Sequence, residues 1–153
     1  MPSTVTPGCL DADGRVVPVT RAGWLRTGDA GRLDATGALR VLGRRDDLIV
    51  TGGENVAPAE VEAVLADLPS VAEVAVAGVP DPEWGQAVTA WIVPRAGMRP
   101  TVDEVRAAAR SRLAPHQLPR RVILVDALPR TAAGKVRRGA LAVPSRADRG
   151  GPA

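Results

Sequence analysis

One lysine, Lys135, stands among 20 basic residues; the other 19 are arginine. It lies in Leu128-Pro129-Arg130-Thr131-Ala132-Ala133-Gly134-Lys135-Val136-Arg137-Arg138, a basic loop containing glycine near the C-terminus. An ammonium is a compact point charge on a flexible stem, and arginine replaces it poorly only where that compactness is needed. A lysine kept here is a candidate for meeting an anion; the plain alternative is a solvated residue in a basic loop. Two other segments carry groups able to do chemistry. Trp24-Leu25-Arg26-Thr27-Gly28-Asp29 reads as a strand ending in a carboxylate-bearing turn. Gly43-Arg44-Arg45-Asp46-Asp47-Leu48-Ile49-Val50-Thr51-Gly52-Gly53-Glu54-Asn55-Val56 reads as a charged corner followed by a double-glycine bend. Taken singly, each is more often structural than functional.

Composition removes several classes of chemistry. Cys9 is the only cysteine, so neither a disulfide framework nor a cysteine metal cluster can form. His116 is the only histidine, which excludes histidine-rich metal sites and most histidine-centred triads. Aromatics are limited to Trp24, Trp84 and Trp91, too few for the stacking platform of a single-strand nucleic-acid binder. The net charge of +3 comes with 17 acidic residues interspersed among the arginines, a solvated-surface pattern and not a nucleic-acid stripe. That balance still favours small anionic ligands such as nucleotides. The first twenty residues lack a signal-peptide run, and no stretch approaches membrane-span length. The expectation is a cytoplasmic protein without membrane partners.

The elements that must position these groups follow from periodicity and turn signals. Arg15–Val19 reads as a weak strand. Trp24–Arg26, Gly31–Asp34 and Ala38–Leu42, divided by Gly28-Asp29 and Ala35-Thr36-Gly37, suggest hairpins. Asp46–Thr51 is a further strand, closed by Gly52-Gly53. Pro58–Leu68 is the clearest helix: proline suits its first turn, and Val61, Val64, Leu65 and Leu68 fall on one face. Val71–Val79 and Ala87–Val93 read as buried strands, broken apart by Gly78-Val79-Pro80-Asp81-Pro82. Thr101 and Glu104 form a capping box opening a helix to about Leu113. Arg121–Val125 is a strand, Gly139–Ala142 a short closing helix, and 144–153 a flexible tail. Alternating helices and strands from residue 58 onward predict an α+β layout, a small mixed sheet with helices packed on it.

Jointly, the three segments resemble the C-terminal third of the adenylate-forming enzymes, the superfamily of acyl-CoA synthetases, peptide-synthetase adenylation domains and luciferases. The resemblance runs from about residue 23 to residue 142 and includes Val79-Pro80-Asp81-Pro82-Glu83-Trp84-Gly85-Gln86. It implies a β-hairpin-rich tail of a larger domain over 1–45, with the ribose motif, and a mobile lid domain over 46–143. By that resemblance Asp29 holds the ribose hydroxyls of ATP, and Arg44 contacts the ribose or phosphate side of the nucleotide. Asp46 is the hinge, and Gly52 and Gly53 line the pantetheine tunnel. Trp84 lies near the CoA side, and Arg120 with Arg121 meets CoA phosphates. His116-Gln117-Leu118-Pro119 stands where many relatives have Tyr-Lys-x-Pro, so Gln117 replaces a basic CoA contact. Lys135 matches the catalytic lysine, bridging the substrate carboxylate and the nucleotide oxygens.

The activity so implied is acid–CoA ligation: a carboxylic acid and ATP give an acyl-adenylate, and CoA then takes the acyl group. The 51–55 loop resembles CoA ligases more than peptide-synthetase domains, favouring free CoA over a carrier protein. A short aryl or alkyl acid is the family-level expectation. Mg2+ is expected to accompany ATP without ligands from this chain. The superfamily's phosphate loop and acyl pocket do not occur in these residues. An N-terminal adenylation domain, in cis or as a separate chain, is therefore the expected partner, and the chain alone is expected not to adenylate acids. The rival expectation is a non-catalytic module that binds CoA or docks onto a partner ligase.

Overall fold

Aspartates and glycines set the turns of the first strands. In the computed structural model, which describes residues 8–18, 20–21, 24–25 and 27–141, β1 (Cys9–Leu10) pairs antiparallel with β2 (Val16–Val17). The Asp11 carboxylate closes their turn by accepting the amides of Asp13 and Arg15. β3 (Thr20–Arg21) pairs with β4 (Trp24–Leu25), and Arg26 lies outside the described residues. β5 (Asp29–Leu33) and β6 (Leu39–Arg44) form a hairpin whose turn is organised by Asp34. That carboxylate accepts the Thr36 hydroxyl and the amides of Thr36 and Ala38. A 3-10 turn, Arg45–Asp47, follows. The chain divides into two compact units, Met1–Asp46 and Asp47–Ala153, with the boundary inside this turn.

The second unit is built on a five-stranded sheet. It comprises β7 (Ile49–Thr51), β8 (Glu54–Val56), β9 (Val71–Asp81), β10 (Gly85–Pro94) and β11 (Arg121–Leu124). The order is β11-β10-β7-β8, with β9 paired to β10. Helix α1 (Pro58–Ala66) connects β8 to β9, and α2 (Val102–Ala109) connects β10 to β11. The β10–β11 pairing is parallel, which requires such a crossover; the other pairings are antiparallel. The sheet is therefore mixed, with helices packed on it.

β10 is central, and its residues 87–92 are all buried. Because neighbours on a strand point to opposite faces, it feeds two cores. Val88, Ala90 and Ile92 pack with Val61, Val64 and Leu65 of α1 and Val105 and Ala109 of α2. Trp91 and Ala75 pack with Leu128 on the other face, where Val136 and Leu141 also settle. The helices thus cover one face, and the segment carrying Lys135 covers the other.

Several boundaries differ from the sequence expectation. β9 continues through Gly78-Val79-Pro80 to Asp81. It is paired along one edge only, where the missing N–H of Pro80 is tolerated. The reversal falls instead at Pro82-Glu83-Trp84, with Gly85 at φ +74. The strand expected from Asp46 begins at Ile49, because residues 45–47 coil into the 3-10 turn. Gly52-Gly53 does not merely close β7; it turns it into β8, with Thr51 opposite Glu54. α1 ends at Ala66, short of Leu68. α2 ends at Ala109, where the amides of Arg112 and Leu113 share one carbonyl, although its Thr101–Glu104 capping box forms as expected. The closing helix is a single 3-10 turn, Arg138–Ala140, and the expected tail 144–153 lies outside the described residues.

Candidate active site

Within the first unit, strand register brings two sequence-selected residues together. Asp29 and Arg44 are cross-strand partners on β5 and β6. Arg44 Nη1 donates to Asp29 Oδ1 at 3.2 Å and to the Thr27 carbonyl at 2.9 Å. Gly28 takes φ +76, and its carbonyl accepts the Arg45 amide at 2.8 Å, closing the corner. Among the described residues, the ion-pair partner of Arg44 is Asp29. The pair is exposed, so both side chains reach solvent.

In the second unit, Gly52, Trp84 and Arg120 converge at one end of the sheet. The Gly52 amide donates to the Trp84 carbonyl at 2.9 Å. A Cβ on Gly52 would come within 2.8 Å of the indole, so this glycine exists to let Trp84 pack. Gly53 has nothing within 4 Å of such an atom and faces open space. The two take φ of +58 and +85, the geometry of a two-residue I′ turn. On Trp84, the Arg120 guanidinium carbon sits 3.8 Å from the ring centroid, a cation–π contact.

That shelf has a support the sequence did not reveal. Asp81 Oδ1 accepts the amides of Glu83 and Trp84, and Oδ2 accepts Arg121 Nη2 at 2.9 Å. Desolvation pushes the Asp81 carboxyl up, but the two amides and Arg121 together hold it below the usual carboxylate range. Arg121, expected to meet phosphate with Arg120, is occupied by Asp81. Gln117 is tied down as well: its Oε1 accepts the Ala114 amide and its Nε2 donates to Glu60. Arg120, by contrast, has no acidic partner among the described residues and stays on the Trp84 ring.

Lys135 sits elsewhere on the same unit, on a small hairpin closed by the Arg130–Val136 bridge. The Gly134 amide bonds the Thr131 carbonyl, and the Thr131 amide bonds the Lys135 carbonyl at 2.8 Å. Gly134 takes φ +79, which lets a type I turn re-enter the ladder. Arg130 braces the loop by donating to the Gly134 carbonyl and to Glu73 on β9, a connection with no sequence signal. The Lys135 side chain is exposed and has no hydrogen-bond or ion-pair partner among the described residues. Glu73 pairs with Val93, and Asp81 with Gly85. Eight residue steps at about 3.3 Å each separate those levels by about 26 Å. The lysine brace and the Gly52–Trp84–Arg120 shelf are therefore near opposite ends of one β-hairpin.

Residues 60–135 match the family model described as AMP-binding enzyme C-terminal domain. The chain belongs to this family. It is 47% identical over 134 residues to a 2-succinylbenzoate–CoA ligase of Geobacillus kaustophilus, a match covering 88% of this chain and 27% of that protein. An indoleacetate–CoA ligase of Aromatoleum aromaticum is 46% identical over 120 residues, covering 78% of this chain and 24% of that protein. Among solved structures, o-succinylbenzoate CoA synthetase from Bacillus subtilis, in complex with its acyl-adenylate intermediate, aligns with TM-score 0.75 and 42% identity. That alignment covers 83% of this chain and 26% of the other. The chain spans about a quarter of the length of the relatives it matches. In this AMP-binding C-terminal domain, no described helix is long and apolar enough to cross a membrane.

Proposed function

We propose that this chain supplies the C-terminal part of an AMP-forming acid–CoA ligase, presenting two different faces to two successive reactions. The observation that carries this reading is a separation: an ammonium without a partner among the described residues, on a hairpin braced near one end of β9–β10, and the Gly53–Trp84–Arg120 edge at the other. A single rigid sheet bearing two chemistries so far apart suits a body that turns between steps.

In the first step the acid's carboxylate oxygen attacks the α-phosphorus of ATP, and pyrophosphate leaves. Asp29 accepts hydrogen bonds from the ribose hydroxyls, and Arg44 lies beside them. Lys135 draws carboxylate and nucleotide oxygens together and offsets the charge developing at phosphorus. Rotation about Asp46 then withdraws Lys135, a hinge at an element's end absorbing the backbone change. The opposite edge follows it in. The open space at Gly53 admits the pantetheine arm, and Arg120 on Trp84 meets the phosphates of CoA. The thiol sulfur attacks the acyl carbonyl, and AMP departs. Phosphate loop, acid pocket and Mg2+ come with an N-terminal adenylation domain, in cis or as a separate chain. The first unit's hairpins, with Leu33, Leu39 and Val41 exposed, belong against that domain.

The test is a fusion. Residues 23–142 replace the corresponding quarter of the Geobacillus 2-succinylbenzoate–CoA ligase, and thioester formation is measured with ATP, CoA and succinylbenzoate. Activity at least a tenth of the parent's is expected, while residues 1–153 alone release no pyrophosphate from ATP and acid. A correctly folded but inactive fusion favours the non-catalytic docking module.

A further inference from the structure

Beyond the family roles, one side-chain cluster ties the lysine hairpin to the rest of its unit. Arg138, three residues past Lys135, donates from Nη2 to both Glu62 oxygens of α1, at 2.8 and 2.7 Å. Its Nε donates to the Val76 carbonyl at 3.3 Å. Glu62 Oε1 accepts the Val76 amide at 2.8 Å. One arginine–glutamate pair thus takes both backbone groups of Val76 on the unpaired edge of β9, as a neighbouring strand would. The pair is shielded, with side-chain exposures of 30% and 20%, and the single nitrogen Nη2 reaches both carboxylate oxygens in charge-assisted contacts. The remaining Arg138 nitrogen, Nη1, lies 3.8 Å from Asp47 Oδ2. Asp47 is the first residue after Asp46 and opens the second unit.

We infer that Arg138 is a positioning residue for Lys135, an inference resting on the adenylation role proposed above. The hairpin has two limbs. Arg130 secures the first to Glu73. Arg138 secures the second to α1, to the β9 edge and, electrostatically, to the residue just beyond the pivot. A torsion change at Asp46 is handed to Asp47, and the Asp47–Arg138–Glu62 cluster couples it to the lysine limb. Arg138 touches neither substrate nor reacting atoms in this scheme; it fixes where the ammonium goes. The thiol-side edge, at the other end of β9–β10, does not depend on it.

Two variants test this, Arg138→Gln and Glu62→Gln; the second keeps an acceptor for the Val76 amide while removing the charge. In the intact chain, amide hydrogen exchange at Thr131 and Arg137 is expected to quicken about tenfold in both. These amides bond the Lys135 and Pro129 carbonyls, while those of Trp91 and Ile92 in β10 should keep their rates. In the fusion enzyme, kcat for adenylation is expected to fall about tenfold with the ATP KM little changed. Thioester formation from supplied acyl-adenylate should stay within twofold. The double variant should be no worse than either single one, because the two side chains act as one unit. Unchanged hairpin exchange, equal acceleration throughout the sheet, or equal loss of both half-reactions would each overturn the inference. An inactive fusion of native sequence would instead count against the functional reading, and the exchange rates would still decide the role of Arg138.

Discussion

The Arg120 guanidinium sits over Trp84, its central carbon 3.8 Å from the ring centroid. The indole in turn rests on Gly52, so one basic group, one aromatic and one bend act together. A cation–π contact is worth about 0.5–1 kcal/mol at an exposed site, which orients a guanidinium more than it stabilises a fold. Arg120→Ala in the fusion is therefore expected to raise the CoA KM about tenfold and to leave pyrophosphate release unchanged. Trp84→Ala should raise it less, about threefold, because the arginine remains but loses its platform. Steady-state kinetics of the two half-reactions check both values. A matching loss in adenylation would remove this edge from the thiol step.

Gly52 and Gly53 share one turn but differ in what surrounds them. Both sit at positive φ, where a Cβ costs roughly 1 kcal/mol. Only at Gly52 does that Cβ also strike a neighbour, the Trp84 ring. Overpacking of this kind adds about 1–3 kcal/mol. Gly52→Ala should therefore lower unfolding free energy by about 2–4 kcal/mol in urea titrations, and Gly53→Ala by about 1. Adding Trp84→Ala to Gly52→Ala should restore part of the loss. If the two alanines cost the same, the packing explanation for Gly52 is wrong.

Those two glycines also show what the sequence could and could not say. The motif order Asp29, Arg44, Gly52-Gly53, Lys135 is visible in one dimension and carries the resemblance, and residues 60–135 match the family model. The helices were legible because Val61, Val64 and Leu65 repeat with helical period and Thr101–Glu104 announces a cap. β8 was not legible: Glu54-Asn55-Val56 becomes a strand through pairing with Ile49–Thr51, a tertiary reward and not a propensity. Pro80 looks like a breaker in sequence yet lies inside β9, because edge position is invisible locally. The braces Arg130–Glu73 and Arg121–Asp81 span 57 and 40 residues, separations at which no local pattern operates.

Acid should weaken the fold through its turn and cap carboxylates. The Thr36 hydroxyl, with the Thr36 and Ala38 amides, holds Asp34 below its ordinary value; the Thr101 amide, then its hydroxyl, does the same for Glu104. A carboxyl whose folded pKa is depressed lends stability that is complete above its unfolded value and drains away as pH falls through the folded one. Unfolded carboxyls titrate near 4. The urea midpoint should accordingly stay level from pH 7 to about 5 and decline below about 4.5. Glu104→Gln keeps an acceptor for the Thr101 amide but no longer titrates, so its midpoint should depend less on pH below 4.5. An unaltered acid slope in that variant would mean the cap carboxylate is not among the groups responsible.

Lys135 offers the cleanest separation of folding from chemistry. Its ammonium has no partner among the described residues, and its hairpin is held by Arg130, Gly134 and backbone bonds that do not involve the amine. Removing the side chain should therefore move stability by less than about 0.5 kcal/mol, as for other exposed positions. In the fusion, Lys135→Ala is expected to slow adenylation by about 10²–10³, the usual loss when a donor to developing charge is deleted. Thioester formation from supplied acyl-adenylate should persist if, as proposed, rotation withdraws the amine in that step. Lys135→Arg restores the charge but not the compact head, so it should recover no more than about a tenth of the lost rate. Arginine surrounds this position throughout the chain, and full rescue by it would mean that only charge, and not the shape of the ammonium, is required there. Equal loss of both half-reactions in Lys135→Ala would instead mean that the hairpin stays in place throughout the cycle, and that no rotation about Asp46 separates the two steps.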